Sequence, residues 1–323
     1  MKRFALFAAA LGLFFGMALH PGAVQSQGSK GNGLKLTMVG VAASDFAKSQ
    51  AFYEHLMGFP VAFKFGTPER TTLFFQMGRD SFLELQVAGG NAKPGLSHVH
   101  FLPDDLNATV TRAREAGLPA AQPGVSLVNV LSAPGYSNNI FIKNTMVYDP
   151  NGIRVELNEY GPEALPRKSA EAWTAAQDAK GLNLNVIGVG AKNLPESANF
   201  YQKIMGFKVA FTFGGTDPEK MTYYDQPGRD SFLELQPVAA NATPGLSHFH
   251  LLTNNLDATI ARLKQNGLTT AAGRMPGTMD EAPGISPGAK TRNINVYDPD
   301  GVRIELNEYG PGSLPKQAVD AWR

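Results

Sequence analysis

Residues 97–100 read SHVH and residues 247–250 read SHFH, so four of the six histidines sit on two copies of one short stretch. In LSHVHFL the apolar residues alternate, as in a strand with one buried face. Side chains two apart on a strand share a face, so His98 and His100 point one way and Val99 and Phe101 the other. The second copy sets His248 and His250 together in the same way. Paired imidazoles suit two kinds of chemistry: they move protons near neutral pH, and they donate nitrogen to divalent metals. They are also compatible with a polar cleft in which each ring is simply hydrogen-bonded.

Two other strands bring carboxylates. In SFLELQV, Phe82, Glu84 and Gln86 lie opposite Leu83, Leu85 and Val87. In GIRVELNEY, Arg154, Glu156 and Asn158 lie opposite Ile153, Val155 and Leu157. The later copies supply Glu234, Glu305 and Asn307. Each strand thus has an apolar face fit to pack under helices and a second face bearing Glu or His. If the sheet curls, the second faces line one concave cleft.

What positions these strands is a duplication. FYEHLMGFPVAFKF (Phe52 to Phe65) returns as FYQKIMGFKVAFTF (Phe200 to Phe213), and GRDSFLELQ returns unchanged from Gly78 at Gly228. VYDPNGIRVELNEYGP returns as VYDPDGVRIELNEYGP, and the only tryptophans, Trp173 and Trp322, close matching tails. A period of about 149 residues means tandem domains rather than stacked solenoid repeats. The units span residues 34–162 and 182–311, with a helical linker at 163–181, its helix expected over Ser169 to Ala179, and a helical tail at 312–323. Within a unit, Ser44-Asp45 offers an N-cap for a helix from Phe46 to Met57, closed by Gly58. A second helix, Leu106 to Ala116, ends at Gly117. Strand, helix, then further strands recur twice per unit. The expected class is α+β: tandem βαβββ modules, two per domain and four in the chain, forming curved mixed sheets around a concave cleft.

This order of elements, with LEL, SHxH and YDPxGxRxELNE on successive strands, resembles the vicinal oxygen chelate superfamily: glyoxalases, bleomycin-resistance proteins and ring-cleaving dioxygenases. The resemblance covers both units. It implies a divalent metal, Fe, Mn, Ni or Zn, held on the concave face, and a small-molecule substrate bound through two adjacent oxygens. By position it assigns Glu84, His98 and Glu156 as ligands in the first unit and Glu234, His248 and Glu305 in the second. A further ligand is expected on the first strand, but Met38 and Val186 stand there, and neither suits such an ion. His100 and His250, on the face of the matching histidines, would complete an N2O2 set; the alternative is that they contact the substrate or are hydrogen-bonded in a polar cleft. The four glutamates are the candidate catalytic groups, and Asn158 and Asn307 candidate substrate contacts. The implied chemistry is that of a lyase or isomerase beside a carbonyl. A ring-cleaving dioxygenase is weaker without the first-strand His, and a metal-free binding module is the other alternative.

Two arrangements of the cleft remain open on sequence: either ligands from one unit meet each other, or the units exchange halves so that Glu84 faces His248 and Glu305. The loops Ala121 to Asn139 and Ala272 to Lys290 differ most between copies, which predicts unlike ligand preferences. His55 is expected on a solvent-facing helix surface. Lys and Arg total 29 against 28 Asp and Glu, a net charge of +1, which gives no electrostatic reason for a nucleic acid or anionic membrane partner. Oligomeric state is not encoded in any motif. Lys2 and Arg3 precede an apolar run to Leu19 and a small-residue exit, the pattern of a signal peptide over residues 1–27 and hence of a periplasmic or secreted protein. The chain has no cysteine, so stability must come from core burial.

Overall fold

The computed structural model describes residues 33–67, 70–89, 93–123, 125, 127–239 and 241–322. The expected signal peptide lies outside the described residues. Among the described residues no helix is long and apolar enough to cross a membrane.

The first unit starts with β1 (Leu34–Ala43) and α1 (Phe46–Ala51), capped by Asp45, whose side chain accepts from Lys48 N. The helix runs on as a π-helical turn, Phe52–Leu56, and Gly58 ends it at φ 73°. Then come β2 (Val61–Thr67), β3 (Arg70–Gly78) and β4 (Ser81–Val87). The second module has β5 (Gly95–Pro103), α2 (Leu106–Glu115), the short β6 (Val130–Leu131) and β7 (Gly135–Ser137), β8 (Ile142–Tyr148) and β9 (Arg154–Tyr160). All join one sheet in the order β2-β3-β4-β1-β5-β9-β8-β6, with β7 beside β8. Both modules of a unit therefore meet through β1 and β5, an antiparallel pair. This settles the arrangement left open on sequence: Glu84 shares its sheet with His98, His100 and Glu156, and the units do not exchange halves.

The linker holds two helices, α3 (Leu165–Ala172) and α4 (Ala175–Asp178), where one was expected over Ser169 to Ala179. The break follows from local chemistry. Trp173 is extended, and Thr174 opens a new helix through a capping box with Gln177. The second unit repeats the plan with β10 (Asn183–Ala191), α5 (Leu194–Asn199), β11 (Lys208–Phe213), β12 (Thr222–Gly228), β13 (Ser231–Pro237), β14 (Gly245–Leu252) and α6 (Leu256–Gln265). The short β15 (Thr269–Thr270), β16 (Thr278–Met279) and β17 (Gly284–Ile285) precede β18 (Arg292–Tyr297), β19 (Arg303–Glu308) and the tail helix α7 (Leu314–Ala321). Its sheet order is β11-β12-β13-β10-β14-β19-β18-β16-β15, with β17 beside β18.

One hydrophobic core runs through both units, from Leu34 and Val39 to Leu251 and Leu306. Polar groups stitch the seam. Beside a register shift between Leu36 and Met38, Leu36 N–H donates to Ser231 Oγ of the other unit at 2.9 Å. Leu184 N–H reaches Ser81 Oγ at 2.9 Å in the mirror contact. The concave faces carry smaller apolar clusters, Met38 with Phe74, Phe82 and Ile142 in one unit and Val186 with Phe211, Tyr224 and Phe232 in the other.

One core position breaks the repeat. Where β3 has Phe75, paired with Leu83, β12 has Asp225, paired with Leu233. Asp225 is fully buried, and Gln202 Nε2 donates to its Oδ1 at 3.0 Å. Its Oδ2 has no partner among the described residues. Burial pushes this carboxyl up to about 7. A folded-state value above the unfolded value favours folding at low pH, and that advantage is lost as pH rises through about 7. The rise from the ordinary carboxylate range corresponds to at most about 4 kcal/mol. Asp225→Asn is therefore expected to reduce the fall in unfolding free energy between about pH 4 and 7, measured by urea denaturation. An unchanged slope would mean that the carboxyl is ionised throughout.

Candidate metal centre

The ligand face is set by register. On β1, Met38 pairs with His100 and Gly40 with His98, while across the strand they pair with Phe82 and Glu84. On the far side His98 pairs with Arg154 and His100 with Glu156. Paired residues point to the same face, so Glu84, both histidines and Glu156 converge. His98 and His100 are 0% and 2% exposed, and their rings lie 4.7 Å apart.

One carboxylate oxygen sits between two ring nitrogens. Glu84 Oε2 is 3.3 Å from His98 Nε2 and 3.6 Å from His100 Nε2. In the second unit Glu234 Oε2 is 3.4 Å from Nε2 of both His248 and His250. Ligands about 2.0–2.2 Å from one ion stand about 3–3.5 Å apart, so the observed spacing is that of donors around a shared cation. Nε2 of His100, His248 and His250 is buried with no hydrogen-bond partner among the described residues. A buried polar atom without a partner is costly, and a metal would satisfy all three. The expected fourth ligand is not part of either three-residue cluster: Glu156 Oε1 is 4.0 Å from His98 Nε2, and Glu305 Oε1 is 3.8 Å from His250 Nδ1, the nitrogen that Asn307 meets.

The rings are oriented from behind. Ser97 Oγ and Ser247 Oγ lie 2.8 Å from Nδ1 of His98 and His248. With the ring hydrogen on Nδ1, each serine oxygen accepts it and Nε2 keeps its lone pair for a ligand. Asn158 and Asn307, expected as substrate contacts, are buried with Nδ2 2.8 Å from Nδ1 of His100 and His250. In that orientation the amide donates, the ring hydrogen sits on Nε2, and the Oδ1 atoms of both asparagines lack partners among the described residues. Turning the amide over lets Oδ1 accept from Nδ1–H and frees Nε2 to ligate. The asparagines thus set which form of His100 and His250 is present.

Burial drives the His98 and His248 imidazoles below their usual range, opposed by the neighbouring glutamates. Burial also pushes Glu84 and Glu234 up, but the paired histidines outweigh it and hold both carboxyls low. Glu305 is held low as well, by His250 and a hydrogen bond from Asn293 against its burial. Neutral imidazole beside ionised carboxylate is the protonation state a metal requires.

Met38 and Val186 are 0% and 1% exposed in their apolar clusters, so the first-strand ligand position is filled with hydrocarbon. The second nitrogen in each three-residue cluster is that of His100 or His250. The roles of two glycines, an arginine already placed on the polar face, and a tyrosine were missed on sequence. Gly40 and Gly188 lie under the His98 and His248 rings, and a Cβ at either would overlap the ring. A glycine inside a strand marks close approach, and that signal stood in MVGV and VIGV. Arg154 Nε lies 3.3 Å from Glu156 Oε1, and Tyr224 OH donates to Glu234 Oε2 at 2.8 Å. Phe74 at the matching place in the other copy was the clue to Tyr224.

Curved sheets of paired βαβββ modules, each cupping two imidazoles and two carboxylates, define a protein built around a metal-type cleft. The chain belongs to the Glyoxalase/Bleomycin resistance protein/Dioxygenase superfamily, whose description matches residues 35–157 and 183–306. Homoprotocatechuate 2,3-dioxygenase from Arthrobacter globiformis is similar in structure, with a TM-score of 0.61 at 16% identity over 88% of this chain and 84% of that one. The Mn(II)-bound glyoxalase from Novosphingobium aromaticivorans has a TM-score of 0.60 at 15% identity, covering 86% and 82%. A mutant of 4-hydroxymandelate synthase from Streptomyces coelicolor has a TM-score of 0.62 at 15% identity, covering 91% and 98%. At such identities the likeness concerns the fold. No curated protein matches the chain.

Proposed function

We propose that the chain is a metal-dependent enzyme acting on a small oxygenated molecule, with lyase- or isomerase-type chemistry beside a carbonyl. The observation that carries this reading is the pair of buried Nε2 atoms at ligand spacing around one carboxylate oxygen in each unit, those of His100, His248 and His250 having no hydrogen-bond partner among the described residues. The residues fit a divalent ion: Glu84, His98, His100 and Glu156 would hold one, and Glu234, His248, His250 and Glu305 a second. Such an ion, when bound, supplies Lewis acidity to two adjacent oxygens of a substrate. The chain supplies the rest. Ser97 and Asn158 fix the rings, and the apolar wall of Met38, Phe74 and Phe82 keeps water from the cleft. Of the carboxylates, Glu84 and Glu156 are placed on the cleft face to take a proton at an Oε. Similarity to the Mn(II)-bound glyoxalase supports metal use, and Mn stands with Fe, Ni and Zn among the candidates. A ring-cleaving dioxygenase remains the second reading, because the neighbours include a protein named as a 2,3-dioxygenase. The basic, then apolar, N-terminus supports export, so the mature protein is expected to begin near residue 28 on N-terminal sequencing.

The test is metal binding. Chelator-stripped protein is expected to take up two equivalents of Mn2+ or Zn2+. His98→Ala with His100→Ala is expected to leave one. Removing ligands from a site of this kind costs at least the 10–100-fold seen for outer-shell changes. Protein that binds none of Fe, Mn, Ni or Zn would leave the metal-free binding module as the reading.

A further inference from the structure

The two sites are not equal, and the difference lies in what grips their carboxylates. In the second unit Tyr224 OH donates to Glu234 Oε2 at 2.8 Å, the same oxygen that lies 3.4 Å from both histidine Nε2 atoms. The phenol is 3% exposed, and its ring stacks on Phe211 at 4.5 Å. Phe74 takes that place in the first unit, paired with Glu84 and stacked on Phe63 at the same 4.5 Å. The rings coincide, so the repeats differ there by one hydroxyl. Among the described residues, only the two imidazoles lie within bonding or ion-pair distance of the Glu84 carboxylate.

The second carboxylates diverge in the same direction. Asn293 Nδ2 donates to Glu305 Oε1 at 2.6 Å, from a strand directly beside it. Its counterpart Asn144 makes no such bond among the described residues, and Glu156 is met by Arg154 on its own strand, one-third exposed. Swinging Glu234 away would break a buried bond to a charged acceptor and strand the Tyr224 hydroxyl without a partner. A donor to a ligand oxygen withdraws some electron density. Holding that oxygen in place removes the entropy of ordering it, and outer-shell groups of this kind raise metal affinity 10–100-fold on balance.

We infer that Tyr224 is a positioning residue that makes the second unit's site the tighter, fixed-geometry metal site, and that the first unit, with Phe74, holds the weaker one. The inference rests on the metal reading above. The experiment is a calorimetric titration of the chelator-stripped full chain with Mn2+. Two unequal steps are expected, and His248→Ala assigns the tighter one by abolishing it. Tyr224→Phe, which installs the other repeat's residue, is expected to weaken the tight step by about 10–100-fold without moving the weak one. Phe74→Tyr is expected to tighten the weak step and so bring the two together. Thermal melting of each variant shows that it is folded. Failure of Mn2+, Fe2+, Ni2+ and Zn2+ all to bind would sink the metal reading itself. Two steps that neither substitution moves would overturn the role of Tyr224 and leave the metal reading standing.

Discussion

Gly40→Ala is expected to empty the first site without altering a single ligand. The Cβ would fall on His98 Cε1 and Nδ1 and lie 2.7 Å from Ser97 Oγ. Gly40 has no positive φ, so the backbone accepts alanine and the effect is purely steric. The ring cannot slide aside: it is 0% exposed, its Nδ1 is held by Ser97, and the His100 ring lies 4.7 Å away. Either His98 leaves its rotamer or β1 separates from β5. Overpacking of this kind costs about 1–3 kcal/mol, a modest loss beside the expected effect on metal. Displacing Nε2 by even one ångström takes it out of reach of a cation shared with Glu84 Oε2. The expected result is one metal equivalent instead of two, with at least a hundredfold loss at the first site and an unchanged second site. Gly188→Ala should do the reverse, since its Cβ would meet His248 in the same way. Calorimetric titration with Mn2+ on both variants checks this. Two equivalents bound with wild-type affinity in Gly40→Ala would show that the ring is not where the ion is held.

Much of this was legible in the sequence, and the reason is periodicity. Strand alternation put Glu84, the pair His98 and His100, and Glu156 each on the polar face of its own strand, because side-chain direction in a strand has a period of two. Duplication then repeated the pattern and made the four modules visible. What alternation does not carry is depth and rotation. It placed Asn158 on the cleft face, yet the residue is fully buried behind His100, bonded to the ring. It could not say which module pairs with which, since the β1–β5 register depends on contacts between distant segments. The linker break at Trp173 was hidden because Thr174 and Gln177 act as a cap only once the chain has turned.

The turn that opens the most recognisable motif, YDPxG, holds the units together, while the strand that follows it carries Glu156 and Asn158. Asp149 of YDPNG accepts from Asn151 N and Ile153 N at 2.8 Å each, which shapes its own turn, and from Tyr201 OH of the other unit at 3.1 Å. Asp298 does the same for Asp300 N and Val302 N, and takes Tyr53 OH at 2.8 Å. Each FY pair thus meets the other unit's YDP turn, a reciprocal brace across the seam.

That brace predicts the largest stability effect in the molecule. Asp298→Ala would leave two backbone N–H groups and the Tyr53 hydroxyl without their acceptor, in a site where Asp298 and Tyr53 are both 0% exposed. Each orphaned buried donor costs about 1–3 kcal/mol, and partial rescue by water lowers the sum, so a loss of about 3–5 kcal/mol is expected. Tyr53→Phe removes only the cross-unit bond and leaves the turn intact; about 1–2 kcal/mol is expected from it. The comparison separates the turn from the brace. If the brace couples the units, Tyr53→Phe combined with Tyr201→Phe should also broaden or split the urea transition, because the shared core then lacks its polar seam at both ends. Neither phenol touches a ligand, so Mn2+ affinity should be unmoved in the double variant. A single sharp transition at the wild-type midpoint would mean that hydrophobic contact alone joins the two units.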